Sequence, residues 1–540
     1  MGLGSSCCQE DAVDGHKEAP EVLSCPKDCP SSSPSSEDRA PEGAASSRAP
    51  SKWSRLKHGR HLEVDAEIVR GIRLHASLRG LGSLWRQSPV DLPEEDRLGL
   101  YERSAPSAGF DVFLSHTWQT PGRWKVLSLL MQAGRDYALA GSVIATGTAF
   151  VLCSLGFLPE PWRSTSHWVE FEHLEVPVFP WCLVSSFIGT FAGFCLTPYA
   201  PNVCGQHPVC FLDVVSIHQV DQELMERGIY GLGGFLQVSK ELRVLWSDPY
   251  LSRLWCVFEL AAYRTANPSG RIVLAPLFVE AGIFLTVFGV YIPTSLFNLA
   301  KTLPFLVENW FLTYILAMLP VCVLIHLLRR NVSKKFKLLS DLKSFDLDRA
   351  SCRTDFDREF IHSAIEEWYG SKEAFTAHVR GPLREELLYH NKSWFPESYL
   401  LLVINVGFSS AVDSVLSEWR GGVPASFVVR EFLGSCVAGN IFWFGFSCKL
   451  MIYLCERYAA PVLSGWLDYG QSLAIFAVFI TVYLVGAFIS GLALRHSLGL
   501  CLAWGAVSFL VAAFVFGGAE RCRTWCESAR GWQRSQGHRS

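Results

Sequence analysis

The chain has 540 residues, of which 49% are apolar and only 18% charged, with a formal net charge of −3. Apolar residues gathered in blocks exceed what soluble cores require and match segments that cross a roughly 30 Å hydrocarbon layer. Near-neutral charge without a broad basic stripe excludes nucleic acid as a partner class. The 18 cysteines form no paired CxxC motifs, so neither a metal site nor a secreted disulfide framework is expected.

The chain begins Met1-Gly2-Leu3-Gly4-Ser5-Ser6-Cys7-Cys8. Gly2 with Ser6 fits the N-myristoylation pattern, and Cys7 and Cys8 are placed for palmitoylation. Two or three acyl chains give stable attachment where one does not. No secretory signal is present, so this end is expected in the cytosol, and dual acylation points to the plasma membrane. Residues 1–60 read as a disordered, acylated arm. Pro, Ser, Glu and Ala dominate 9–51, and a basic patch with one Trp at 52–60 suits anionic lipid headgroups. Residues 61–99 read as a linker with an interfacial helix over 65–87. There Ile68, Ile72, Leu78, Leu81 and Trp85 interleave with Arg70, Arg73, Arg79 and Arg86, against the helix-weakening Gly71, Gly80 and Gly82.

Eight spans follow: Tyr137–Leu158, Val178–Pro198, Val279–Phe297, Leu303–Leu328, Tyr399–Leu416, Phe432–Leu454, Ser472–Leu494 and Leu498–Phe516. Asp413 interrupts the fifth, which is the weakest. Arg329, Arg330, Lys334, Lys335 and Lys337 follow the fourth span, and a basic tail at 519–540 follows the eighth. Both ends are therefore expected on the cytosolic side. Ionisable residues inside spans are expensive and mark function or pairing. Asp413, His326 and Lys449 qualify, while Arg430 and Glu431 stand at a span entrance where snorkelling suffices. A channel or transporter with regulatory inserts is one functional reading, although no pair of broken helices supports it.

Three polar stretches, 100–136, 199–278 and 329–395, remain between membrane hairpins at 137–198 and 279–328 and a four-span bundle at 396–518. Together they alternate strand and helix. Phe110–Ser115, Val209–Val215, Leu242–Trp246 and Arg271–Phe278 are short apolar strands, Leu342–Cys352 is a candidate fifth, and Phe356–Leu388 supplies two closing helices. Buried strands separated by helices imply a parallel sheet covered on both faces, with ligands bound outside the carboxyl ends of the strands.

Asp111-Val112-Phe113-Leu114-Ser115-His116-Thr117 resembles the first box of Toll/interleukin-1 receptor (TIR) domains. Ser247 to Leu260, containing Trp255-Cys256-Val257-Phe258-Glu259-Leu260, is similar to that family's Trp-Cys-x-x-Glu-Leu segment, give or take one inserted residue. Phe211 to Gln219 is similar, less closely, to a stretch of heterokaryon-incompatibility domains. The matched residues cover about 130 of 540 positions. The implied architecture is a multi-pass α-helical membrane protein of about eight spans with a discontinuous α/β TIR-like domain on the cytosolic face, of the type seen in protists and algae.

The resemblance implies signalling or scaffolding through TIR-type partners or self-association, with no cofactor required. It also implies an alternative, an enzyme that cleaves NAD as substrate. Glu259 is then the catalytic carboxylate, and Ser115, His116 and Trp118 line the NAD cleft. A carboxylate there stabilises the oxocarbenium-like ribose as nicotinamide departs. The competing structural role for Glu259 is an ion pair with Arg253 or Arg264, or an acid buried for structure. Asp213 and His218 lack a metal-ligand spacing, and Asp213 reads as a loop orienter. Trp255 and Cys256 read as core packing.

Overall fold

The computed structural model describes residues 52–518, apart from 167, 172, 202–206, 301, 304, 306–308, 391–394 and 463–464. Gly2, Cys7, Cys8, the arm to residue 51 and the tail 519–540 lie outside the described residues.

Eight strands occur among the described residues: β1 Arg70–Arg73, β2 Ala105–Pro106, β3 Phe110–Ser115, β4 Trp162–Thr165, β5 Glu175–Val178, β6 Val209–Phe211, β7 Ser239–Trp246 and β8 Arg271–Pro276. Six form one sheet in the order β2-β1-β6-β3-β7-β8, and β4 pairs with β5 alone. The four strands β6, β3, β7 and β8 are parallel, with Val112 opposite Cys210 and Phe113 opposite Phe211, and β1 joins β6 antiparallel. Numbered among themselves, the four parallel strands follow the doubly wound order 2-1-3-4. Their side chains are buried on both faces, as parallel strands require. Phe113, Phe211, Leu242 and Val244 point to one core, and Val112, Leu114, Cys210 and Leu245 to the other.

The labelled helices are α1 Gly122–Ser154, α2 Trp181–Leu196, α3 Leu254–Ala266, α4 Leu277–Gly289, α5 Tyr291–Ala300, α6 Trp310–Asp341, α7 Asp355–Tyr369 and α8 Glu397–Arg420. Next come α9 Ala425–Glu431, a π-helical stretch at Phe432–Trp443, α10 Phe444–Arg457, α11 Asp468–His496 and α12 Leu498–Ala513. Seven helical segments among the described residues are long and apolar enough to cross a membrane. They include α1, α8 and the continuous run Ala425–Arg457. The expected span Leu303–Leu328 falls partly outside the described residues, and its helix, α6, runs on through Asp341.

One helical hairpin, α1–α2, separates β3 from β6 of the same sheet, as expected; the second expected hairpin follows β8, the last strand, and so does not interrupt the sheet. The boundary is not where composition changes, however. The polar stretch ending at residue 136 and the apolar stretch after it form the single helix α1, because no proline or turn intervenes.

Several expectations are corrected. Residues 65–87 are not an interfacial helix. They supply β1 and short turns, and Gly80, Leu81 and Gly82 all have left-handed φ, which breaks any helix. The stretch 61–99 is thereby part of the α/β domain. The basic patch folds onto that domain as well: Lys52 pairs with Glu226 at 2.8 Å, Arg55 is buried, and Trp53 meets Phe356 edge-on at 4.6 Å. Leu342–Cys352 forms two short 3₁₀ turns and one bridge, Ser351 to Arg253, instead of a fifth strand. The Asp346 side chain caps the second turn, a local bond that competes with a sheet ladder. The second strand ends at Phe211, because Asp213–Ser216 coils into a helical turn. Glu431 does not snorkel but is buried.

The bundle has a sheet end and a hairpin end. At the hairpin end, Glu170 between β4 and β5 meets Arg495 of α11 at 3.3 Å, and Ser166 donates to buried Glu418 of α8 at 3.0 Å. The weakest expected span is α8, which packs most deeply. Its Asp413 accepts hydrogen bonds from the Cys182 and Leu183 backbone N–H groups at 2.9 Å each, capping α2. A ladder of small polar side chains joins α8 to α1, α2 and α5. Asn405 donates to Ser142 at 2.6 Å, Ser142 meets Ser186 at 2.8 Å, and Ser186 meets Tyr291 at 2.9 Å.

Glycines set the approach of α1 and α2. A Cβ at Gly189 would stand 2.3 Å from the Gly141 carbonyl oxygen, and one at Gly193 2.5 Å from the Ala138 Cα. Gly189→Leu is expected to force these helices apart at a cost of about 1–3 kcal/mol or more. A clear fall in the thermal midpoint in detergent is the expected result, and an unchanged midpoint would show that the contact is slack.

Candidate functional site

The site lies where β3 and β7 diverge in their connections, outside the carboxyl ends of the parallel strands. Ligands of doubly wound sheets bind at this kind of place. Ser115 ends β3, and α3, which follows β7, presents Glu259 to it. Ser115 Oγ donates a hydrogen bond to Glu259 Oε2 and shares another with the Tyr250 hydroxyl. Tyr250 stacks on Trp246 at the end of β7, with centroids 5.2 Å apart. Glu259 forms neither of the expected ion pairs among the described residues. Arg264 pairs instead with Glu386.

The next turn carries the second half of the site. His116 is buried, with Trp85 5.2 Å and Trp118 4.9 Å from its ring, both edge-on. The Trp118 indole N–H donates to Asp213 Oδ2 at 2.8 Å, so Asp213 orients a loop as expected, but the loop belongs to the neighbouring strand. The other carboxylate oxygen of Asp213 lies 3.8 Å from His116 Nε2. Cys256 Sγ donates to the His116 carbonyl at 3.5 Å, which ties the two halves together. His218 turns away, accepting from the Asp221 backbone N–H at 2.8 Å, and forms no pair with Asp213.

Lys125 is the residue that sequence reasoning missed. It sits in the first turn of α1, fully buried, with Nζ 4.4 Å from the Trp118 ring and no hydrogen-bond partner for Nζ among the described residues. Its only sequence signal is a lysine on the apolar face of a helix. α1 reaches this position because Gly122 packs on Trp85, where a Cβ would collide with the backbone oxygen at 1.6 Å.

Burial governs the acid–base properties. The Glu259 carboxyl is pushed up to about 8 by burial; the Ser115 hydrogen bond opposes the shift and the Asp213 charge adds to it. His116 is pushed down to about 4 by burial and by neighbouring Lys125, against the pull of Asp213. Burial also raises the Cys256 thiol well above its ordinary range, so it is no nucleophile. The arrangement thus holds a neutral imidazole, the Glu259 carboxyl that ionises above neutrality, and an enclosed lysine, beside the partly exposed Trp118 and Asp213. No group of three or more metal-ligating side chains occurs among the described residues. No family model, curated protein or solved structure matches the chain.

Proposed function

We propose that this chain is a multi-pass membrane protein that acts in signalling through a TIR-like α/β domain at its sheet end, on the cytosolic side. The observation that carries this reading is the single sheet whose strands β3 and β6 are separated by the α1–α2 hairpin. A domain threaded in this way cannot leave the bundle, so its partners must come to the membrane, or a second copy must meet it there. Acylation of Gly2, Cys7 and Cys8 adds to the attachment. The test is energy transfer between donor- and acceptor-labelled full chains in proteoliposomes. Transfer above that of an unrelated protein at equal density is expected, including for Glu259→Gln. Transfer no greater than that control sinks self-association.

One observation favours a second reading, NAD cleavage. Glu259 meets Ser115 at the switch point and has no ion pair among the described residues. In this reaction the nicotinamide–ribose bond breaks and water adds at the ribose carbon. The products are nicotinamide, ADP-ribose and a proton. Ionised Glu259 would stabilise the cationic ribose, Trp118 would stack on a ring, and Lys125 would neutralise a phosphate once the loop opens. Because the carboxyl is held at about 8, release of nicotinamide should rise as pH goes from 7 to 9. Glu259→Gln should lower it by about 100-fold or more, the scale of one electrostatic contact to the transition state. No nicotinamide from concentrated, membrane-assembled protein would end this reading.

A further inference from the structure

The helical bundle holds a partly open cavity of about 270 Å³ among α4, α5, α6, α8, α10, α11 and the π-helical stretch. Its walls change character along its length. Phe395, Leu400 and Met451 line it toward the sheet end, while Ser435, Asn440 and Ser490 line it toward the hairpin end. No lysine, arginine or histidine is among its lining residues, and Glu431 is the one acidic residue among them.

The polar end is built by an uncommon backbone. Phe432–Trp443 is π-helical for 12 residues, a conformation that is rare and often found at functional sites. The Asn440 side chain supports it, donating from Nδ2 to the Ser435 carbonyl at 2.9 Å. Asn440 Oδ1 is left as an acceptor beside Gly407, where a Cβ would stand only 3.2 Å from it. Any larger side chain at Gly407 would cover that oxygen. Both residues line the cavity.

We infer that this cavity binds a neutral single-chain amphiphile, a long-chain alcohol or an equivalent hydroxyl-bearing lipid. Its hydroxyl donates to Asn440 Oδ1, and its hydrocarbon chain runs toward Leu400 and Met451. The volume lies just below the roughly 300–1,000 Å³ of ligand pockets, which suits one chain better than two. With no cation and one carboxyl, that of Glu431, in the wall, an anionic headgroup would be desolvated without compensation.

The test is photolabelling of the full chain in detergent with a long-chain primary alcohol bearing a diazirine. Saturable labelling of α8 and the π-helical stretch is expected, competed by the unlabelled alcohol and not by the carboxylate of equal chain length. Asn440→Leu and Gly407→Val should each weaken labelling about fivefold, the factor for one hydrogen bond. If either variant fails to fold, competition on the parent chain by the methyl ether of the same alcohol serves instead. The ether lacks the donor and should compete about fivefold less well. Labelling confined to outward residues such as Phe488, or equal competition by alcohol, ether and carboxylate, would overturn the proposal.

Discussion

Asp413→Leu should lower the thermal midpoint of the detergent-solubilised protein more than any other single substitution in the bundle. The carboxylate of α8 accepts from two backbone N–H groups in the first turn of α2, Cys182 and Leu183. Those donors have no partner within their own helix. The helix dipole adds to the attraction. Removal of the carboxylate leaves two buried donors unsatisfied, at roughly 1–3 kcal/mol each. A total of about 2–6 kcal/mol is a large share of a typical stability of about 5–15 kcal/mol. Asp413→Asn keeps one carbonyl oxygen and should lose about half as much. Reaction of a thiol dye with the buried Cys182 and Cys153 provides the readout, since both become accessible only on unfolding. Equal midpoints for parent, Asn and Leu forms would show that the cap carries no energy. The same experiment addresses function, because a charge explained by capping need not lie on an ion path.

The second large effect is a pH dependence that Glu259→Gln should remove. An unperturbed carboxyl titrates near 4.5, whereas Glu259 in the folded protein is held at about 8. Between these values the folded chain binds more protons than the unfolded one. Stability therefore falls as pH rises through that window and levels off above about 8. His116 has the opposite sign. Its folded value of about 4 lies below the ordinary 6.5, so its contribution is complete above 6.5 and is lost on acidification toward 4. Above pH 6.5 only Glu259 of this pair still titrates. The difference in unfolding midpoint between the parent and Glu259→Gln at pH 7, 8 and 9 isolates it. The parent should lose stability over this range relative to Glu259→Gln, whose amide still accepts from Ser115. Parallel curves would mean that the carboxyl is solvated and ionised at neutrality, which would also remove the rise in nicotinamide release with pH expected of the enzymatic reading.

Much of the architecture was legible in the sequence because it is written locally. Apolar blocks of spanning length and short strands such as Phe110–Ser115 announce themselves by their own composition. So do the two segments that bring Ser115 and Glu259 to one end of a sheet. Patterns that imitate another structure misled. Arginines interleaved with apolar residues over 65–87 have the look of an amphipathic helix, but the left-handed Gly80–Leu81–Gly82 turn and the pairing of Ile72 with Cys210 make the segment a sheet strand and turns. Leu342–Cys352 has strand-like apolar residues, but local capping by Asp346 gives it turns. Tertiary structure alone decided which distant groups meet. Asp213 beside Trp118 is joined across a helical hairpin, and Asp413 beneath α2 between separate helices. The physical reason is that desolvation and unpaired donors are satisfied by whichever partner the packing brings near, and sequence spacing carries no record of that partner.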